Sequence, residues 1–373
     1  MLALTCVQAD DDPLVVFFID PTAYEYWGDA MLVCTPGGRN YVIDGGQLAF
    51  GPDWDCGLQR VLPLLDSLDV TYLDGVVGTH PHSDHIGGLI SVYDSLEVGI
   101  AYDSGWPYGS SWTYQQYLEA IVRNGSDYVT PRMGDSLDWG SELTVEVFYP
   151  KEPLPPSCAN NSSIVLRLTY GEIAFLFTGD LETNGGEDVI LAGIEDISAD
   201  VLKVGHHGSA SSTCNMWLSA VDPTIAAICV GANNPFGHPH GEVVSRLLGR
   251  DITIYRTDRD GTFYLSTDGE EVYFNSMPPT GGGGSVDPET FSVFPSPATD
   301  TATFAWDPAD GDQALIRVFN LNGELVLDVD AVDGSFLWDL ATSGGSPAAP
   351  GLYAAVFSTS EGVICTEYFT ISR

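Results

Sequence analysis

All seven histidines of this 373-residue chain fall in three short segments. His80, His82 and His85 stand in Gly78-Thr-His-Pro-His-Ser-Asp-His-Ile-Gly-Gly88. His206 and His207 stand in Leu202-Lys-Val-Gly-His-His-Gly-Ser209, and His238 and His240 in Gly237-His-Pro-His-Gly241. Histidines scattered over a surface would not leave the rest of the chain empty. The first segment reads His-x-His-x-Asp-His and follows an apolar, strand-like run over residues 74–78. At a strand end, two side chains two residues apart converge on one point, and the next pair faces a second point. Imidazole and carboxylate are good ligands for Zn²⁺, and also for Mn²⁺ or Fe²⁺. The fold therefore has to bring several strand ends together.

Other segments supply what a site for two cations lacks. Phe177-Thr-Gly-Asp180 follows an apolar run, which puts Asp180 at a strand end, where one carboxylate can bridge two cations. His206 follows the strand-like residues 201–204. Asp44, in Tyr41-Val-Ile-Asp-Gly-Gly46, ends another run before paired glycines. It can orient a ligand histidine from behind or start a turn.

Around these segments the pattern is mixed α/β. Strand-like runs cover residues 14–19, 30–35, 41–43, 75–78, 143–148, 163–169, 173–178, 201–204, 225–230, 252–255 and 262–266. Apolar residues at helical spacing mark 59–68, 112–124 and 241–248. This predicts two sheets with helices on the outside for residues 12–276. Met277-Pro-Pro-Thr-Gly-Gly-Gly-Gly-Ser285 has linker composition, assigned to 277–287. Residues 288–373 read as strands and turns, which suits a small all-β sandwich. Residues 1–11 hold an apolar stub before Asp10-Asp11-Asp12 and read as a signal-peptide remnant or a disordered start.

Composition limits the partners. Asp+Glu number 52 against 13 Lys+Arg, a formal net charge of −39. Such a surface repels polyanions and rules against a basic nucleic-acid groove. No apolar run approaches the roughly 18 residues that span a bilayer, so stable membrane insertion is not expected. There is no Cys-x-x-Cys among seven cysteines, which argues against a zinc knuckle; Cys229 lies in an apolar run and reads as core.

His80-x-His82-x-Asp84-His85, with Asp44 before it and Asp180 and His206 after it, resembles the metallo-β-lactamase-fold superfamily. The hydrolase domain of competence-type DNA-internalisation proteins is the nearer likeness, through Asn160-Asn-Ser-Ser-Ile-Val-Leu-Arg-Leu168, Leu176-Phe-Thr-Gly-Asp180, the His206-His207 segment and Gly237-His-Pro-His240. The resemblance spans roughly residues 14–267. It implies an αββα sandwich and a metal-dependent hydrolase. His80 and His82 would hold one divalent ion, Asp84, His85 and His206 a second, and Asp180 would bridge them. The ions would be Zn²⁺ or Mn²⁺, and a water shared between them would be the nucleophile. Asp84, His207, His238 and Lys203 are the candidates for contacting substrate or moving protons, with Asp44 and Asn161 behind the ligands.

Two departures stand out. Pro21-Thr-Ala-Tyr-Glu-Tyr-Trp-Gly-Asp29 replaces the usual Val-Gly-Gln-Gly-Asp, and no histidine lies between His85 and His206, where Asn160 and Asn161 stand instead. The implied substrate is a phosphodiester, small or nucleic acid. A lactone or other acyl ester, or a non-catalytic surface-binding role, are the alternatives. The tail resembles immunoglobulin-like domains of secreted bacterial proteins, of flagellar-hook-cap and type IX sorting type, through Val293-Phe-Pro-Ser-Pro-Ala-Thr-Asp300 and Pro350-Gly-Leu-Tyr353. This implies a secreted or surface location, with contacts to secretion machinery or the cell surface through that domain.

Overall fold

The computed structural model describes residues 13–21, 27–48, 54–155, 157–232, 234–276, 292–294, 301–305, 314–320, 325–331, 335–342, 346–349, 351–359 and 362–371. The expected signal remnant (1–11) and glycine-rich linker (277–287) lie outside them. The chain divides into two compact units, residues 1–282 and 283–373.

In chain order, the strands of the first unit are β1 (Leu14–Phe18), β2 (Ala30–Cys34), β3 (Asn40–Gly45), β4 (Tyr72–Gly78), β5 (Glu97–Asp103), β6 (Asp127–Val129), β7 (Ser136–Leu137), β8 (Thr144–Tyr149), β9 (Val165–Tyr170), β10 (Ile173–Phe177), β11 (Val201–Lys203), β12 (Ile225–Ile228), β13 (Thr253–Arg256), β14 (Phe263–Thr267) and β15 (Val272–Ser276). Among the described residues they form two sheets, ordered β15-β14-β1-β2-β3-β4-β5-β6 and β13-β12-β11-β10-β9-β8-β7. Each sheet has a parallel part, β3 to β6 in the first and β10 to β13 in the second.

The helices are α1 (Leu62–Ser67), α2 (Ser83–Ile86), α3 (Leu89–Ser95), α4 (Trp112–Asn124), α5 (Asp188–Gly193), α6 (Asn215–Val221), α7 (Gly241–Leu248) and α8 (Thr257–Asp260). Side-chain alternation shows how the layers stack. In β1, Leu14, Val16 and Phe18 join one core while Val15 and Phe17 join another. In β10, Ile173, Phe175 and Phe177 share the core of Val16 and Phe18, whereas Ala174 and Leu176 pack with Trp217 of α6 and Val243 of α7. Successive strand residues point to opposite faces. The shared core therefore lies between the sheets, and the other faces are covered by helices: α1, α3 and α4 on the first sheet, α5, α6 and α7 on the second. This is the αββα arrangement expected. Being buried on both faces is why these strands read as continuous apolar runs.

The expected helices 112–124 and 241–248 form as α4 and α7; 59–68 becomes a helical turn at Gly57–Val61 running into α1. Ser111 caps α4 by accepting the Tyr114 N–H, and left-handed Gly125 ends it. Strands β5, β6, β7 and β15 were not expected. Gly99 interrupts the apolar run of β5, and the outermost strand β15 leaves Tyr273 and Phe274 exposed, so neither reads as a continuous apolar run.

In the second unit, β16 (Ser292–Phe294), β17 (Ala302–Ala305) and β20 (Ser335–Trp338) form one small sheet. The other contains β18 (Ala314–Asn320), β19 (Leu325–Ala331), β21 (Gly351–Thr359) and β22 (Gly362–Ile371). Phe304 and Trp338 of the first share a core with Ile316, Val318 and Tyr353 of the second. Among the described residues, no helix is long and apolar enough to cross a membrane.

Phe175 is 1% exposed in the core between the sheets. Phe175→Ala is expected to cost ~3–5 kcal/mol in urea unfolding, the range for an unfilled aromatic cavity. A cost below ~1 kcal/mol would contradict this packing.

Candidate metal centre

The carboxyl ends of parallel strands β3, β4, β10 and β11 open on one edge of the sandwich, together with the start of β2, which runs antiparallel to β3. Ligands of open α/β sheets gather at such edges. Asp29 precedes β2, Asp44 lies at the end of β3, His80 follows β4, Asp180 follows β10, and His206 and His207 follow β11.

Asp44 organises the first sheet's contribution. It is buried and left-handed (φ 56°). Its Oδ1 accepts the Thr79 N–H at 2.8 Å and its Oδ2 the Thr79 hydroxyl at 2.7 Å. The same Oδ2 lies 2.8 Å from His85 Nδ1. With Nδ1–H donated to Asp44, Nε2 is the atom that His85 turns to Asp180 Oδ2, 3.2 Å away. A carboxylate behind a histidine fixes its ring and tautomer in this way.

The loop after β4 carries the rest. His80 is fully buried, with Nε2 3.0 Å from His82 Nδ1 and 3.7 Å from Asp180 Oδ2. Helix α2 then turns the chain so that Asp84 and His85 reach the cluster from the other side. This loop lies hard against its neighbours. A Cβ on Gly88 would sit 2.0 Å from the Gly45 carbonyl oxygen, and one on Gly28 2.0 Å from that of Asp84. Only glycine permits both approaches.

On the second sheet, His206 and His207 are both left-handed, at φ 48° and 51°. Such backbone is uncommon outside glycine and marks a constrained site. The two rings face different surroundings. His207 is buried, with Nδ1 3.0 Å from both Asp29 Oδ1 and the Cys229 carbonyl, and Nε2 3.5 Å from both Asp84 Oδ2 and Asp180 Oδ2. His206 is partly exposed. Its Nε2 is 3.8 Å from Asp180 Oδ2, and its Nδ1 is 3.4 Å from Glu182 Oε1 and 3.2 Å from the Ser211 hydroxyl. The place beside Asp84 and His85 that the sequence assigned to His206 is thus taken by His207.

The remaining candidates spread around the cluster. Lys203 is 1% exposed; its ammonium pairs with Asp29 and donates to the Gly179 carbonyl at 3.1 Å, which turns it inward, away from any substrate. Asn161 does not face the cluster: it accepts the Glu182 N–H at 2.9 Å and donates to the Asn184 carbonyl at 2.8 Å, tying down the turn after Asp180. His238 stands at the rim, its ring 5.4 Å from that of His206 and 6.3 Å from that of His207. His240 Nδ1 accepts the Ala210 N–H at 2.9 Å, a structural bond. Asp29 was not among the expected site residues. Its signal was Gly28-Asp29 ahead of a strand, the pair that this otherwise divergent stretch shares with the Val-Gly-Gln-Gly-Asp pattern.

Two groups of possible ligand atoms result, each within a span of 4.8 Å: His80, His82 and Asp180, and Asp29, His85, Asp180 and His207. Asp180 belongs to both. Its Oδ1, His85 Nε2 and His207 Nε2 are buried and make no well-aligned hydrogen bond. Buried polar atoms without partners are costly, and a cation would satisfy all three. The electrostatics agree. Burial opposes charge on His85, yet Asp180 and Asp44 hold its imidazole well above the usual histidine range. His207 is likewise pushed up to about 10 against burial, by Asp180 and Asp29. Burial and the neighbouring His85 push His80 far down, so its ring stays neutral with a lone pair to offer. Against burial, His207 and His85 hold Asp180 well below the usual carboxylate range. The donor set, all imidazole and carboxylate, fits divalent ions.

Residues 28–232 match the family model described as the metallo-beta-lactamase superfamily. The chain belongs to that superfamily. Its fold binds divalent metals, and the cluster described here is one that could hold them. ComE operon protein 3 of Bacillus subtilis (strain 168) is 32% identical over 263 residues, 68% of this chain and 33% of that protein. Competence protein ComA of Neisseria gonorrhoeae is 30% identical over 223 residues, 60% of this chain and 28% of that protein. Recombination protein 2 of Haemophilus influenzae is 30% identical over 202 residues, 53% of this chain and 23% of that protein. The chain thus matches about a third or less of the length of these relatives.

Metal content by mass spectrometry should approach two ions per chain after zinc loading and fall to one or fewer in Asp180→Ala. Asp44→Asn should keep the stoichiometry but weaken affinity by ~10- to 100-fold, the usual cost of losing such a carboxylate. Full occupancy at unchanged affinity in both variants would refute the site.

Proposed function

We propose that this chain is a metal-dependent phosphodiesterase that works at the strand-end cluster. The observation that carries the reading is the sharing of Asp180 between two ligand groups, the layout of a two-cation site. His80, His82 and Asp180 would hold one ion. His85, His207 and Asp180 would hold the other, joined by Asp84, 3.5 Å from His207 Nε2, in place of Asp29, whose carboxylate is engaged by Lys203 and His207 Nδ1; His206 stands on the open side. Divalent ions there supply positive charge that lowers the pKa of a bound water and steadies charge growing on a substrate oxygen.

The protein's own groups do the rest. Asp44 fixes the His85 ring through Nδ1, and Asp29 does the same for His207. Lys203 offsets the charge of Asp29, so that this carboxylate can stay buried. Asp84 faces His207 Nε2 and is held ionised, against burial, by His207 and His85. In this reading it would accept the proton of the attacking water. His238 is pushed down to about 4 by burial and by the charges of His207 and His206, so it is neutral at pH 7. It can donate one ring N–H to a substrate oxygen without carrying charge.

The choice of a phosphodiester is supported by relatives named for competence and recombination. The net charge of −39 favours a small phosphodiester, or a single strand end, over a long duplex. The resemblance of the tail to secreted immunoglobulin-like domains supports a secreted or surface-held enzyme, and the all-β second unit is compatible with that domain type.

Zinc- or manganese-loaded protein should hydrolyse bis-p-nitrophenyl phosphate, and His82→Ala should lower kcat/KM by at least ~10²-fold, as expected when a group stabilising the transition state is lost. Turnover of lactones with none of any phosphodiester would replace this reading with acyl hydrolysis. Phosphodiester turnover unchanged by His82→Ala would exclude the cluster.

A further inference from the structure

Aromatic rings flank both ends of the cluster. At the His80–His82 end, the Tyr108 ring lies 5.9 Å from that of His82 and 5.5 Å from that of Trp106. At the His206–His207 end, Phe236 stacks on His238 at 5.6 Å and meets Trp27 edge-on at 5.2 Å. Trp106 and Tyr108 follow β5 of the first sheet, and Phe236 and His238 follow β12 of the second. The rings thus come from both sheets and rise around the one edge where the ligand atoms meet.

These rings are not core residues that happen to lie near the surface. Phe236 is 55% exposed, and Trp27, Trp106, Tyr108 and His238 are partly exposed. Nor is the Phe236 segment slack. The Asn234 side chain accepts the N–H groups of Phe236 (3.2 Å) and His238 (3.0 Å) and donates to the carbonyls of His238 (2.7 Å) and Gly231 (3.0 Å). Trp106 is anchored by its indole N–H on the Pro155 carbonyl at 2.7 Å. An exposed apolar ring held in place beside a reactive centre offers a flat surface to a ligand.

Charge points the same way. Lys203, the lysine that reaches the cluster, is spent on Asp29 and the Gly179 carbonyl. Phosphate recognition would then fall to the cations rather than to Lys203, and the remainder of the substrate can be held by contacts that need no positive side chain. Stacking of a planar base on aromatic rings meets that need and tolerates any base.

We propose that Phe236, backed by Trp27 and His238, and Tyr108, backed by Trp106, are stacking platforms at the two ends of the cluster, each able to hold a nucleobase or similar planar ring. The substrates are then phosphodiesters that carry such a ring beside the scissile phosphate. This rests on the phosphodiesterase reading and names its substrate class.

The test compares two esters with the same leaving group, thymidine 5′-(p-nitrophenyl phosphate) and methyl p-nitrophenyl phosphate, on zinc-loaded full-length protein. The nucleoside ester should have the higher kcat/KM by ~5- to 100-fold, the range of base–aromatic stacking, and the advantage should lie mainly in KM. Phe236→Ala and Tyr108→Ala should each shrink that ratio, and Phe236→Tyr should restore it. Quenching of tryptophan fluorescence gives a readout without turnover: thymidine 5′-monophosphate should bind more tightly than methyl phosphate, with the difference reduced in Phe236→Ala. Equal kcat/KM for the two esters, or a ratio unmoved by both alanine variants, overturns the stacking platforms and leaves the phosphodiesterase reading intact. Absence of turnover of both esters, with Phe236-dependent binding of the nucleotide, removes the phosphodiesterase reading and keeps the Phe236 platform.

Discussion

Asp44, Asp180 and Asp29 approach the buried His85 ring to 2.8, 3.2 and 3.8 Å, and carboxylates crowded in this way stand only if positive charge stands among them. Burying an unpaired carboxylate costs several kcal/mol. Within the chain the compensation comes from Lys203 and from His85 and His207, whose imidazoles these carboxylates hold above the usual histidine range. Divalent ions at the cluster would supply it more directly. Much of the local architecture serves this balance: the left-handed turn at His206 and His207, the close glycine contacts of the 82–88 loop, and the two carboxylates that hold ring nitrogens from behind.

The sandwich puts that cluster where chemistry can reach it. The core between the sheets and the helical layers outside them fix two sheets face to face, and the ends of their parallel strands open together. Residues separated by more than a hundred positions in sequence, such as Asp44 and Asp180, meet there without a long loop to carry them. Rigid strand ends place side chains more accurately than loops, which a site with several ligands requires. The loops that do reach the rim, after β5 and β12, bring rings rather than charges.

Much of this was legible in the sequence. Strands buried on both faces announce themselves as apolar runs; Asp44, His80 and Asp180 stand at or just past the end of one, and His82, Asp84 and His85 follow His80 in the loop and into α2. What could not be read has physical causes. The strands β5 and β15 carry a glycine or an exposed face and so lose the apolar run. Which of two neighbouring histidines turns inward depends on consecutive left-handed residues, and nothing in His206-His207 itself announces them. Asp29 sits in a stretch that diverges from the family pattern, and its pairing with Lys203, 174 residues away, is a product of the sheets meeting. The inward turn of Lys203 follows from that pairing. The immunoglobulin type of the second unit rests on short motifs, since its described strands establish only two small sheets around one core.

Anomalous diffraction at the zinc edge, from crystals of the zinc-loaded protein, tests the central claim most directly. Two peaks should appear at the strand-end edge, ~3.5–4 Å apart and flanking the Asp180 carboxylate. One should lie ~2.0–2.1 Å from nitrogens of His80 and His82, the other at that distance from His85 and His207. Peaks confined to surface carboxylates, with the His85 and His207 rings still turned on unliganded Asp180, would contradict the account.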